Sequence, residues 1–259
     1  MTRVRTLAQA AAWVDEVGVA VLYPNGDYVL PSLWEAVTGH ADMSWEAPAT
    51  WTVWGWKDEL PARQLACVGL HVVRTTGLVA PRLLSAVYAL AGEPELEGLE
   101  AEIADAARSL RRPATRRELR LLVGADKRLG DRAVNALQRK LVLTNAGVDT
   151  EGSGWGATLH DLFERRWKAK LRRIPAREEA LASLGRAVVG ACGELSAADL
   201  AAALRVRRRE ATATLELLEA EGAVTPVLRD DLRLWTPAAR GSRAQSRAAG
   251  SRSSPRRSR

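Results

Sequence analysis

The sequence predicts a mainly helical α+β fold in which two winged helix-turn-helix modules follow an N-terminal mixed α/β segment. Two observations carry that expectation. A run of three helical stripes closed by two β-prone segments occurs twice, and in both copies a capping pair opens the second stripe, Thr115 with Glu118 and Ser196 with Asp199. The apolar content of 47% over 259 residues is enough for packed cores.

From the beginning of the chain, Thr6 caps a helix to about Val17, with Leu7, Ala10, Val14 and Val17 on one face and Gly18 as its stop. The β-branched run Val19 to Tyr23 reads as a strand, and Pro24 to Asp27 as a turn. Ser32 and Glu35 form a capping box for a short helix ending before Gly39. Residues 40–56 show no periodicity but hold Trp45, Trp51, Trp54 and Trp56; Lys57 to Leu70 and Pro81 to Leu90 read as helices. The expected first unit is 1–92.

The second unit, 93–173, begins with the stripe Leu96, Leu99, Ile103 and Leu110. Its second helix is capped at Thr115, and its third opens at Gly130 or Asp131 and runs to Lys140. Strands then follow at Leu141 to Thr144 and Trp155 to Leu159, and a basic helix, Asp161 to Arg173, carries Phe163 and Trp167 toward its neighbours. The third unit, 174–239, repeats the order: a stripe of Leu181, Leu184 and Val188, a helix capped at Ser196, a helix over 207–220, and strands Val224 to Leu228 and Leu232 to Trp235. The tail, 240–259, is Arg, Ser, Ala and Gly without periodicity and reads as disordered.

The net charge of +7 hides where the charge lies. Seven arginines and no acid fall in 240–259, so the rest of the chain is neutral. Within that rest, residues 1–107 hold 6 basic and 14 acidic groups, 108–173 hold 17 and 7, and 174–239 hold 8 and 10. Such unevenness points to an anionic partner for the middle unit. The two cysteines, Cys67 and Cys192, form no ligand cluster, and no apolar run approaches a membrane span, so a cytoplasmic protein without metal, cofactor or membrane contact is expected. Neither a G-x-x-x-x-G-K-[ST] phosphate loop nor an H-E-x-x-H zinc motif occurs.

The leading site is the third helix of the middle unit. Ala133, Val134, Leu137 and Leu141 share one face, and Arg132, Asn135 and Arg139 recur on the other, where Arg matches guanine and Asn matches adenine in a major groove. Lys127, Arg128 and Lys140 at its ends suit phosphates; a solvated basic face is the plainer alternative, and Asp149 and Glu151 give the hairpin tip the wrong sign for DNA. In the third unit, Arg205 and Arg207 to Arg209 are followed by Glu210, Glu216, Glu219 and Glu221, which suits a structural role or a protein contact. A second candidate is a base pocket of Trp51, Trp54 and Trp56 with Asp58 and Glu59, where aromatic walls and carboxylates would meet an extruded base; the plain alternative is core tryptophans and exposed acids. Cys67 and His71 at helical spacing are two ligands without a third.

The strings VGVAVLYP (17–24), LPSLWEAV (30–37), WKDELP (56–61) and LQRKL (137–141) resemble those of AlkZ-related winged-helix proteins, distant relatives of the AlkZ and YcaQ DNA glycosylases. The resemblance covers residues 5 to about 237 and implies tandem winged helices and a DNA partner. The glycosylases carry a Gln-x-Gln or Gln-x-Asp motif; here Gln9, Gln64, Gln138 and Gln245 are followed two positions on by Ala11, Ala66, Lys140 and Arg247. No catalytic residue carries over. The expectation is therefore a protein that binds double-stranded DNA, with a glycosylase or lesion sensor in DNA repair as one alternative and a protein-interaction scaffold, docking through the C-terminal module, as the other.

Overall fold

The computed structural model describes residues 3–151 and 156–238. The basic tail and most of the expected G-S-G-W-G hairpin loop, with the start of its return strand at Trp155, lie outside the described residues. About half of the described chain is helical, and its strands form three small antiparallel sheets.

Helix α1 (Leu7–Val17) is capped by the Thr6 hydroxyl and ends at Gly18, whose φ of 81° suits a residue without Cβ. It leads into β1 (Val19–Val21), shorter than the expected strand, and α2 (Leu33–Thr38) follows with its Ser32–Glu35 capping box formed. The stretch read as irregular is instead helical. Helix α3 (Pro48–Ala62) starts with Pro48, whose missing N–H is no loss in a first turn. It ends well before Leu70: Gln64 adopts a left-handed φ of 55°, and β2 (Cys67–Gly69) follows. Cys67 and His71 are therefore not neighbours on a helix, and their pairing as ligands is withdrawn. Strand β3 (Gly77–Val79), unmarked in the sequence, pairs with both β1 and β2.

This small sheet separates two cores. Ala20, Val68 and Leu78 face α1 and α3, while Val19, Val21, Cys67 and Val79 belong to a second core shared with the third unit and with Leu141, Phe163 and Trp167. Period-2 alternation with both faces covered explains why the strand sequences read as unbroken apolar runs. A 3-10 turn (Pro81–Leu83) and α4 (Leu84–Ala91) complete the first unit.

The second unit contains α5 (Gly98–Leu110), β4 (Ala114–Thr115), α6 (Arg116–Leu122), α7 (Lys127–Arg139), β5 (Leu143–Asp149) and β6 (Ala157–Leu162), with strand order β4-β6-β5. Its core of Ile103, Leu119, Val134, Leu137 and Leu143 is its own. Helix α7 begins three residues before the expected Gly130, because the Asp126 carboxylate accepts the N–H groups of Arg128 and Leu129. Gly130 lies inside the helix, where the Arg120 stem passes so close that an added Cβ would meet its Cγ at 2.9 Å. Leu141 turns left-handed at φ 57° and delays β5 beyond its expected start. The expected basic helix over 161–173 reduces to one turn, α8 (Phe163–Arg166), and a 3-10 turn (Lys168–Lys170), since Asp161 and Leu162 belong to β6.

The third unit repeats the order with α9 (Arg177–Cys192), α10 (Ala197–Leu204), α11 (Arg208–Ala220), β7 (Val224–Arg229) and β8 (Leu232–Pro237). Its hairpin turns at Asp230 and Asp231, both with positive φ. Phe163 and Trp167, both fully buried, pack in the core that joins this unit to the first.

Three arginines tie helix ends to neighbouring elements by donating to carbonyls of a last helical turn. Arg82 bonds Asp15 at the end of α1, Arg166 bonds Pro61 and Ala62 at the end of α3, and Arg177 bonds Leu90 at the end of α4.

Candidate nucleic-acid interface

The basic groups of the middle unit divide into engaged and unengaged sets. Arg108 pairs with Asp105, Arg112 with Glu118, Arg165 with Asp161, and Lys140 with Glu100 and the Glu95 carbonyl. Lys140 is thus held against α5 and does not project from the end of α7. Asn135 also differs from expectation: it is half-buried, and its Oδ1 accepts from Arg116 Nη2 at 2.7 Å. It sits toward α6, off the open face. Lys127, Arg128, Arg132 and Arg139 remain exposed, and none of their side chains has a hydrogen-bond or ion-pair partner among the described residues.

These four do not share one surface. Lys127, Arg128 and Arg132 fall in the first half of α7, whose N-terminus is capped by the Asp126 carboxylate. Arg139, at the last turn, faces the joints between units: it lines one groove with Glu93, Glu95 and Glu100 and a second cavity with His71, Leu204 and Arg205. Beside the first half of α7, Leu121, Leu122 and Leu129 are more than half exposed.

The expected base pocket does not close around its five residues. Trp56 is in the core of the first unit. Asp58 is buried and paired with Lys57 at 2.6 Å, and Glu59 is exposed and paired with Arg63. Trp51 and Trp54 instead meet Trp45, with ring centroids 6.4 and 6.3 Å from it, and the three are 45, 37 and 58% exposed. The Lys57 ammonium lies 4.7 Å from the Trp54 ring centroid, and Tyr23 abuts Trp45. The helical spacing of Trp51, Trp54 and Lys57 explains this array, a pattern concealed while the segment was read as irregular.

A buried polar seam, which the sequence reading missed, joins α3 and β2 to the middle unit. Pro61 has no N–H for the Lys57 carbonyl four residues earlier, and Asn145 Nδ2 of β5 donates to that carbonyl at 3.4 Å. His71 Nδ1–H donates to the Gln138 carbonyl at 2.9 Å, leaving Nε2 to accept the Thr144 hydroxyl at 3.2 Å. Burial pushes the His71 pKa down to about 4. His160 Nε2 accepts from Arg116 Nε at 3.2 Å while its buried Nδ1 has no partner; burial, then the charge of Arg116, push its pKa down to about 3. Both rings are neutral near pH 7. Scattered in sequence, the two histidines reach one seam through β2 and β6. Burial likewise lifts the Cys67 thiol to about 12. Among the described residues, no group of three His, Cys, Asp or Glu is placed to hold a metal ion, and no helix is long and apolar enough to cross a membrane.

This arrangement defines a mixed α/β protein with unpartnered cations along α7 and at the joints around it, and others, such as Arg117, Lys168, Lys170 and Arg172, elsewhere on the middle unit. The chain belongs to the AlkZ-related family, whose model matches residues 4–205. Among solved structures it is similar to the Streptomyces sahachiroi DNA glycosylase AlkZ, at 15% sequence identity and a TM-score of 0.57, over 88% of this chain and 64% of that one. The chain spans less than two thirds of that protein's length, and the likeness is one of fold. No curated protein matches the chain.

Proposed function

We propose that the protein binds double-stranded DNA, with units 93–173 and 174–239 acting as tandem winged helices behind the segment 1–92, and the tail 240–259 adding non-specific attraction. The observation that carries this reading is the division of the middle unit's cations. Ion pairs and carbonyls hold many of them, while Lys127, Arg128 and Arg132 stand together, exposed and unpartnered, at the start of the third helix. That position in a helix-turn-helix meets base edges and the flanking phosphates. The family membership and the fold shared with a DNA glycosylase support a nucleic-acid partner. Replacing Lys127, Arg128 and Arg132 with alanine should weaken duplex binding at least tenfold, whereas replacing Arg207, Arg208 and Arg209 should leave it nearly unchanged. Equal effects would remove α7 as the reading helix.

A second reading is a sensor of damaged or unpaired bases, favoured by the exposed Trp45–Trp51–Trp54 array with Lys57 beside it. Aromatic side chains stack on an unpaired base at about 1–3 kcal/mol each. On this reading Trp45→Ala with Trp51→Ala reduces binding to a duplex with a bulged base and spares the fully paired duplex. For glycosylase chemistry neither expected carboxylate is free: Asp58 is buried and paired with Lys57, and Glu59 is paired with Arg63. An abasic-site assay over alkylated duplexes tests it, and product formation would restore it.

A further inference from the structure

Where the three units meet, Arg74 reaches in from the loop between β2 and β3, Arg139 from the end of α7, and Arg205 from the residue that closes α10. A cavity of about 140 Å³ has Arg139 and Arg205 on its wall and buried His71 beside them. A groove of about 670 Å³ has Arg74 and Arg205 on its wall, and both cavities are bounded by Val206. Arg205 therefore belongs to both.

None of the three arginines makes an ion pair among the described residues. This sets them apart from their neighbours: Arg177, on the same cavity, is held by Glu210 at 2.9 Å and by the Leu90 carbonyl. Asp27 borders the larger groove without pairing to Arg74 or Arg205. Glu93, Glu95 and Glu100 lie on Arg139's other side, and Glu100 is taken by Lys140. The charges of Arg139 and Arg74 both act on Arg205, adding to the burial that lowers its pKa. One of the three side chains is held in place: Arg205, in a left-handed conformation, donates from Nη1 to the Leu70 carbonyl at 3.3 Å, while at Arg74 only the backbone is fixed, its N–H donating to the Tyr28 hydroxyl at 2.9 Å. His71 adds no charge near neutral pH.

Arg205, its side chain anchored, shares one cavity with Arg139 and the other with Arg74, and with no ion pair on any of the three their charges repel in the free protein, a repulsion that a bound anion offsets. Guanidinium groups present paired N–H donors that match phosphate oxygens, whereas a carboxylate-sized anion would satisfy fewer of them. We infer that Arg74, Arg139 and Arg205 form a phosphate-binding site at the junction of the three units. If the phosphate is a DNA diester, this deepens the proposed DNA binding by adding a backbone contact outside α7; a free phosphate ligand needs no such premise.

The test uses the full chain and a variant carrying Arg74→Gln and Arg205→Gln, neither residue being in the α7 site tested above. Thermal unfolding is followed with inorganic phosphate or pyrophosphate against chloride at matched ionic strength, and duplex affinity is measured in parallel. The expected result is a rise in Tm of about 3 °C or more with phosphate at ten times its Kd, present in the parent and in the Lys127/Arg128/Arg132 triple variant but lost in the double variant. Loss of duplex affinity by about tenfold in the double variant assigns the phosphate to the DNA backbone; unchanged duplex affinity with a lost phosphate response assigns it to a free phosphate compound. Arg74→Gln alone should leave the phosphate-free Tm unchanged or raise it, because it relieves repulsion and leaves the Arg205 anchor in place. A parent with no phosphate response and a double variant with parental duplex affinity would overturn the site, whether or not α7 binds DNA.

Discussion

If Lys127, Arg128 and Arg132 each neutralise one phosphate, replacing all three with alanine removes three released counterions. The slope of log Kobs against log salt should then be shallower by about 2.7, at about 0.9 per phosphate on duplex DNA. Between 50 and 200 mM salt, a fourfold change, those three contacts account for roughly a 40-fold loss of affinity in the parent that the variant does not suffer. The tail's arginines and any contact from Arg139 are common to both proteins and cancel in the difference. Fluorescence anisotropy of a labelled duplex at four salt concentrations measures both slopes. Parallel lines with a constant offset would mean that the alanines act on the fold or on uncharged contacts, and the assignment of α7 to DNA would be withdrawn.

The buried histidines make stability acid-sensitive. His71 and His160 titrate near 4 and 3 in the fold and near 6.5 when unfolded, so stability is full above pH 7 and falls as protons bind the unfolded chain, by about 2 kcal/mol per histidine at pH 5. His160→Asn should halve the drop in Tm between pH 7.5 and 5; an undiminished drop would show that His160 is not held neutral. Asn145→Ala should destabilise by about 1–3 kcal/mol by orphaning the Lys57 carbonyl and the Gly147 N–H, and less in a Pro61→Ala background, where residue 61 regains an N–H for the carbonyl. A double-mutant cycle by urea unfolding measures that coupling, and additivity would refute it. Cys67, buried with its thiol pushed to about 12, should react with a disulfide reagent at pH 8 only after unfolding. Rapid labelling of the native chain would contradict that burial.

Elements whose boundaries are written in short-range chemistry were legible in the sequence. Thr6 with Gly18, and the capping boxes at Ser32 and Ser196, marked helices that form with those caps. Where tertiary partners decide, the reading failed. Helix α3 carries Pro61 inside it and tryptophans on two sides, so its periodicity is blurred, and the carbonyl freed by the proline is met by Asn145, 88 positions away. The reach of α7 was misjudged because Gly130 looked like a boundary; it is small to admit the stem of Arg120. Charge sums single out a basic stretch, but a sum does not tell Arg116, folded inward onto Asn135 and His160, from Arg132, which faces solvent. Arg74 and Arg205 had no shared sequence pattern; only the meeting of three units makes them neighbours.

The small first sheet has a consequence for how the chain is made. One face, with Val19, Val21 and Val79, lies in a core shared with the third unit, whose helix α9 packs against β1 and carries Leu184 and Val188, synthesised more than 100 positions later. The middle unit carries its own core and can collapse while it emerges. At about 5–20 residues per second, the first unit leaves the ribosome with that valine surface bare for roughly 5–20 s before its cover arrives. The order of translation is thus the reverse of the order of completion: the part made first is among the last to be finished, and during that interval it is the part of the nascent chain most open to capture by chaperones.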